Sequence, residues 1–190
     1  MSEWADALGA STTPVREALF QLVGEGLVES IPQKGFFHLP ISIRSSKSRY
    51  AVIQAILEHK FRSSSSILDF EQYALDKLKY NLENNNTTSK SELIRDLYLA
   101  LLSGKDDIEA KMIVTQLYLK TDYLRRRLMI DVDTWRDVVL AARLVVECLE
   151  NEDFEKATAA MQSLHKCKAG RIDQVFNSLA IEYVAEGSAR

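Results

Sequence analysis

Ser11, Thr12 and Thr13, with Arg16 just beyond them, place three hydroxyls and a guanidinium at the entry to a helical pattern. These groups suit phosphate oxygens and the acceptor edges of bases. Lys34 and Gly35 add a cation and a backbone with no side chain, which can approach a phosphate or a minor groove closely. No set of residues with the spacing of a catalytic site accompanies them. There is no nucleophile elbow, no phosphate-cradling glycine loop and no plausible His/Asp/Ser set, so an enzyme is not expected.

Local signals predict the elements that position these donors. Ser2 to Leu8 reads as a short helix ended by Gly9-Ala10. A second helix begins at about Thr12, with Ser11 as the N-cap and Pro14 in a first turn that tolerates its missing N–H. Val15, Leu19, Leu22 and Val23 share one face of it, and Arg16 lies off that stripe. Two short helices joined by a Gly-containing turn form a helix-turn-helix pattern. Past Gly24-Glu25-Gly26, Leu27–Ile31 and Phe36–Leu39 read as two strands around the turn Pro32-Gln33-Lys34-Gly35, which is a wing.

The totals constrain the partners less. The net charge of −3 gives no overall attraction for nucleic acid. Residues 1–50 hold five basic and five acidic residues, so any positive face is local. No apolar run reaches membrane-span length and no signal peptide is read, which leads to the expectation of a cytoplasmic protein with no membrane partner. Cys148 and Cys167 sit in helical patterns without metal spacing and are expected to be reduced thiols. With only 3 Pro and 7 Gly, the chain should be mainly α.

The blocks Ala5-Asp6-Ala7-Leu8-Gly9-Ala10-Ser11-Thr12-Thr13-Pro14-Val15-Arg16-Glu17-Ala18-Leu19, then Leu22 with Glu25-Gly26-Leu27-Val28, then Lys34-Gly35-Phe36, resemble the GntR family of bacterial transcription regulators. The resemblance implies a winged helix-turn-helix over 1–41 that binds a double-stranded DNA operator. Ser11, Thr12, Thr13 and Arg16 would hold phosphates or base edges, and Lys34-Gly35 would touch the flank. The family's domain opens with a helix and a short strand ahead of the element beginning here at Ser2, so the domain is expected to be partial. Thr12 stands where the family often has an arginine that reads bases, and it keeps only a phosphate contact.

Residues 42–49, small and basic, read as a linker. The remainder, 50–190, reads as an all-helical bundle of six or seven helices. The expected helices run Tyr50–Arg62, Ile67–Leu82, Ser91–Leu102, Asp107–Met129, Trp135–Glu150 (capped by Asp133 or Thr134), one after the cap Asp153, and Ile172–Val184, with a polar loop at 84–89. Asn151 to Ala157, Ala160-Met161 and Leu97 to Leu102 resemble the effector domain of the FadR subfamily. That resemblance implies a homodimer controlled by a small, acidic effector.

Many such domains hold a metal through one Asp and three His. The corresponding positions here carry Ile94, Tyr98, Ala142 and Leu164, so neither a metal nor another cofactor is expected. Tyr98 is then the candidate effector-binding residue, alongside the reading that it merely fills the vacated space. His165 and the run Arg125-Arg126-Arg127 read as exposed, the latter as a solvated helix end favourable to the dipole. The alternative is a dimeric metabolite-binding helical protein that has lost DNA binding and acts through mixed dimers.

Overall fold

The structure, a computed structural model, describes residues 2–39, 42–84 and 90–187, and the chain forms two compact units, 1–42 and 43–190. The expected polar loop lies outside the described residues from 85 to 89.

In the first unit, α1 (Ser2–Leu8) and α2 (Thr12–Gly24) precede a two-stranded antiparallel hairpin of β1 (Val28–Ile31) and β2 (Gly35–His38). The N–H of Ala10 closes α1 onto the Ala5 carbonyl at 3.0 Å. At the end of α2, Gly26 takes φ +65°. The N–H groups of Gly26 and Leu27 return to the carbonyls of Val23 and Leu22 at 2.9 and 3.0 Å, a left-handed helix stop that favours glycine. The strands pair in register from Val28 with His38 to Ile31 with Gly35. Gln33 at φ +62° and Gly35 at φ +109° turn the chain between them. The core is thin: only Ala5 and Val15 are buried among the described residues of this unit.

The second unit is a bundle of seven α-helices among the described residues. These are α3 (Ile43–Ser63), α4 (Gln72–Asn84), α5 (Lys90–Leu101), α6 (Ile108–Lys120), α7 (Asp122–Leu128), α8 (Val132–Glu150) and α9 (Phe154–Gly187). A 3-10 turn, Ile67–Asp69, follows α3 and is closed by a Ser66 capping box. The core stripes keep helical spacing. Tyr50, Ile53, Leu57 and Phe61 line α3, and Val138, Ala142, Val145 and Leu149 line α8. The long α9 packs against both helices.

Several boundaries differ from the sequence reading. The expected linker is helical from Ile43, and Ser46 is buried one turn before Tyr50, so the core stripe starts inside the polar run. The segment Asp107–Met129 divides at Thr121, whose hydroxyl donates to the Leu117 and Tyr118 carbonyls at 3.0 and 3.1 Å. Asp131 caps α8, rather than Asp133 or Thr134, by accepting from the Thr134 N–H at 2.7 Å. The two last helices are one, because Gly170 does not interrupt α9. Asp153 does serve the start of α9, accepting from the Lys156 N–H at 3.0 Å.

One clip joins the α3 end to the α5–α6 connection. The Lys60 ammonium meets the Asp107 carboxylate at 2.8 Å and the Asp69 carbonyl at 2.9 Å. The Asp107 carboxylate also accepts from the Gly104 N–H at 2.9 Å. A methyl on Gly104 would lie 2.6 Å from the Asp107 carboxylate and 2.9 Å from the Asp69 carbonyl, which has no free end to swing aside. Gly104→Ala is therefore expected to destabilise the chain by roughly 1–3 kcal/mol, an overpacking cost. Urea denaturation checks this, and an unchanged midpoint would show that the clip relaxes freely.

Candidate functional site

On the first unit, Ser11 stands at the cap of α2 with extended backbone, yet its side chain makes no cap hydrogen bond. Its hydroxyl is thus uncommitted, contrary to its expected capping role. Thr12, Thr13 and Arg16 are all exposed, while Val15 turns inward. The Arg16 guanidinium lies 6.0 Å from the Phe20 ring centre, a helical i, i+4 cation–π contact. Phe20 in turn meets Phe36 of β2 edge-to-face at 5.2 Å. This aromatic pair ties the helix bearing Arg16 to the hairpin bearing Lys34 and Gly35, which are both exposed at the turn. The six residues proposed from the sequence therefore lie on the exposed helix start and hairpin tip of one small unit.

The second unit holds a polar centre of which the sequence reading placed only Tyr98 in the interior. Tyr98, buried on α5, accepts a hydrogen bond from the Lys168 ammonium on α9 at 2.6 Å. Its hydroxyl lies 3.5 Å from Nε2 of His165, also on α9. The Lys168 Nζ is 5.1 Å from the Tyr98 ring centre and 5.8 Å from that of Tyr50 on α3. His165 Nδ1 is buried without a hydrogen-bond partner, and the buried Tyr50 hydroxyl lies beside Thr121 and Arg125 without a well-formed hydrogen bond to either. Arg125 of α7 is fully buried. Its guanidinium donates to the Thr121 hydroxyl at 3.0 Å, the Tyr118 carbonyl at 3.0 Å and the Asp122 carboxylate at 2.9 Å.

Two expectations are corrected here. His165 is not an exposed helix residue but 3% exposed, and Arg125 is not part of a solvated helix end. Arg126 alone of the run is classed as exposed. Lys168 was missed altogether, although a signal existed. It lies four residues past Leu164 and four before Ile172, on the stripe that carries Ala157 and Met161. A lysine at that position is a charge aimed at the core.

Burial sets the ionisation of this centre. It pushes Lys168 down to about 7, with nearby Arg125 acting the same way. It lowers His165 to about 3, Lys168 adding to the effect. Burial raises both Tyr98 and Tyr50, so both phenols remain neutral donors. Ile94, Ala142 and Leu164 are buried and apolar. Among the described residues, no group of three or more His, Cys, Asp and Glu side chains could hold a metal ion.

Residues 1–37 match the family described as bacterial regulatory proteins, gntR family. Among curated proteins no sequence match is found. Solved structures share the fold over nearly the whole chain. One is described by the words "Lar controls the expression of the Listeria monocytogenes agr system and mediates virulence". It is 13% identical, covers 91% of this chain and 85% of its own, and has a TM-score of 0.67. Escherichia coli McbR/YncC is 20% identical, with coverage of 92% and 86% and a TM-score of 0.64. A GntR family transcriptional regulator from Pseudomonas syringae pv. tomato is 20% identical, with coverage of 96% and 78% and a TM-score of 0.56. Among the described residues no helix is long and apolar enough to cross a membrane.

Lys168 makes a testable contribution to stability. Its native value near 7 lies below the ordinary 10.5. The unfolded chain therefore binds more protons than the native one between those values, and this lysine makes stability rise with pH across that window. The groups facing it are Tyr50, Tyr98, Arg125, His165 and Cys167. Lys168→Met should flatten the rise in denaturation midpoint between pH 7 and pH 10 relative to the unaltered chain, since the other groups titrate in both. Identical slopes would contradict the burial of a protonatable Lys168.

Proposed function

We propose that this GntR-type chain is a DNA-binding transcription regulator of the FadR subfamily, acting as a cytoplasmic homodimer controlled by a small acidic metabolite. One observation carries the DNA half of the reading. The uncommitted hydroxyls of Ser11, Thr12 and Thr13 and the Arg16 guanidinium stand on the exposed start of α2. Phe20 and Phe36 brace that helix against the hairpin presenting Lys34. A helix start of this kind fits a major groove, with the hairpin tip on the flanking backbone. Effector binding in the bundle would bias one dimer arrangement over another and so couple to DNA affinity.

The dimer surface we favour is α6. Ile108, Met112 and Leu119 are 62%, 61% and 49% exposed, and with Thr115 they follow one another at spacings of four, three and four. This spacing fits a short coiled-coil seam, on a different side of the helix from buried Val114 and Tyr118. Glu109 in the first turn and Lys120 at the last lie on one flank of the seam. Antiparallel pairing with a second copy brings each against its opposite charge. Met112→Glu combined with Leu119→Glu should convert a dimer into a monomer in light scattering with helix content unchanged. A monomeric parent, or a variant that stays dimeric, would overturn this assignment.

Fluorescence anisotropy of labelled duplexes over a salt series tests the DNA half. Arg16→Ala and Lys34→Ala should each weaken binding and lower the salt slope by about one for a lost phosphate contact. Absence of binding to any duplex at low salt would remove this reading. It would favour the second one, a dimeric metabolite-binding protein acting through mixed dimers, which is suggested by Thr12 where the family often has arginine.

A further inference from the structure

A groove of about 1270 Å³ lies between α3, the α5–α6 connection and the start of α6. Val52, Ala55, Ile56, His59, Lys60 and Ser63 line it from one face of α3 at helical spacing. From Val52 to Ser63 that face is roughly 16 Å long, about three turns. The second wall, α6, runs antiparallel to α3, from Asp107 beside Lys60 to Lys120 beside Arg49. The two ends therefore differ in chemistry. The Val52 end is apolar, with Ala55 and Ile56 joined by Ala110 and Ile113. Val52 and Ile113 are 43% and 46% exposed, so the described residues leave this wall open.

The Lys60 end is polar and rich in acceptors. The Lys60 ammonium is committed to the Asp107 carboxylate and the Asp69 carbonyl. Ser63 and Ser64 donate to the Lys60 carbonyl at 3.0 and 2.8 Å, and Ser103 donates to the Ala100 carbonyl at 2.6 Å. Each of these hydroxyls keeps an oxygen lone pair to offer. Four carboxylates, of Asp69, Glu71, Asp106 and Asp107, line this end against the ammoniums of Lys60 and Lys105. Glu71 and Asp106 are exposed and enter no ion pair among the described residues. We propose that the groove docks an amphipathic helix of about three turns from a partner protein, its apolar face on Val52, Ile56 and Ile113 and a lysine or arginine at one end meeting Glu71 and Asp106. The length of the α3 face sets the length of the helix, and the excess of carboxylates sets the sign of its charged end. Ile113 lies about 100° around α6 from Met112, so the docked helix leaves the seam of Ile108, Met112 and Leu119 open.

The test is fluorescence anisotropy of the full chain with a labelled synthetic helix of about twelve residues, leucine and alanine with a pair of lysines at one end. A counterpart with glutamates in place of the lysines is the control. The lysine peptide should bind saturably, and more weakly as salt rises, and the glutamate peptide should bind roughly tenfold more weakly or less. Ile113→Asp should weaken the lysine peptide by a similar factor, because docking would desolvate the new carboxylate. Glu71→Lys combined with Asp106→Lys should reverse the preference between the peptides with helix content unchanged. Equal binding of the two peptides, no binding of either, or an unreversed preference in the double variant would overturn the site. Dissociation of a dimer by Ile113→Asp with peptide binding unaltered would also overturn it, and would give the groove to a second copy of the chain.

Discussion

A 2.6 Å hydrogen bond from the Lys168 ammonium to the Tyr98 hydroxyl joins the longest helix of the bundle to α5. Around it the core is otherwise aliphatic and aromatic, and it tolerates this pair only because the contacts are close and the ammonium sits among tyrosine rings. Tyr98 meets Tyr118 edge-to-face at 6.3 Å, and Tyr118 lies beneath the Arg125 guanidinium. Five helices, α3, α5, α6, α7 and α9, thus contribute to one polar centre. An interior of this kind is costly unless every donor finds an acceptor.

The two units solve different problems. The bundle buries side chains from every one of its helices and can hold a polar centre. The first unit has only Ala5 and Val15 buried, and it relies on helix stops at Gly9 and Gly26, a turn at Gly35 and the Phe20–Phe36 contact. Its exposed polar residues follow from that economy. The short helix α2 has one face for packing, and the opposite side is left to Thr12, Thr13 and Arg16.

Much of the first unit was legible because its signals are local. Glycines with positive φ, a proline in a first turn and short apolar runs specify α1, α2 and the hairpin within a few residues of each other. The bundle's boundaries were less so. The helix after Asp153 and the segment Ile172–Val184 read as two, yet α9 runs through Gly170 between them, because packing on both sides outweighs the roughly 1 kcal/mol propensity cost of one glycine. The run 42–49 looked like a tether, yet Ser46 is buried one turn before Tyr50. The Asp107–Met129 segment looked continuous, yet Thr121 and Arg125 satisfy the carbonyls of a break.

The sequence by itself determined the mainly helical class, the helix-turn-helix with its hairpin, and the residues offered at the start of α2, because periodicity and turn chemistry act between near neighbours. It also placed Tyr98 among core-facing positions. Only the tertiary structure decided that Lys168, His165 and Arg125 are interior, and that Tyr98 is bonded to a lysine seventy residues away. Burial and the ionisation that follows belong to the helices packed around a side chain, not to the residues beside it in the chain.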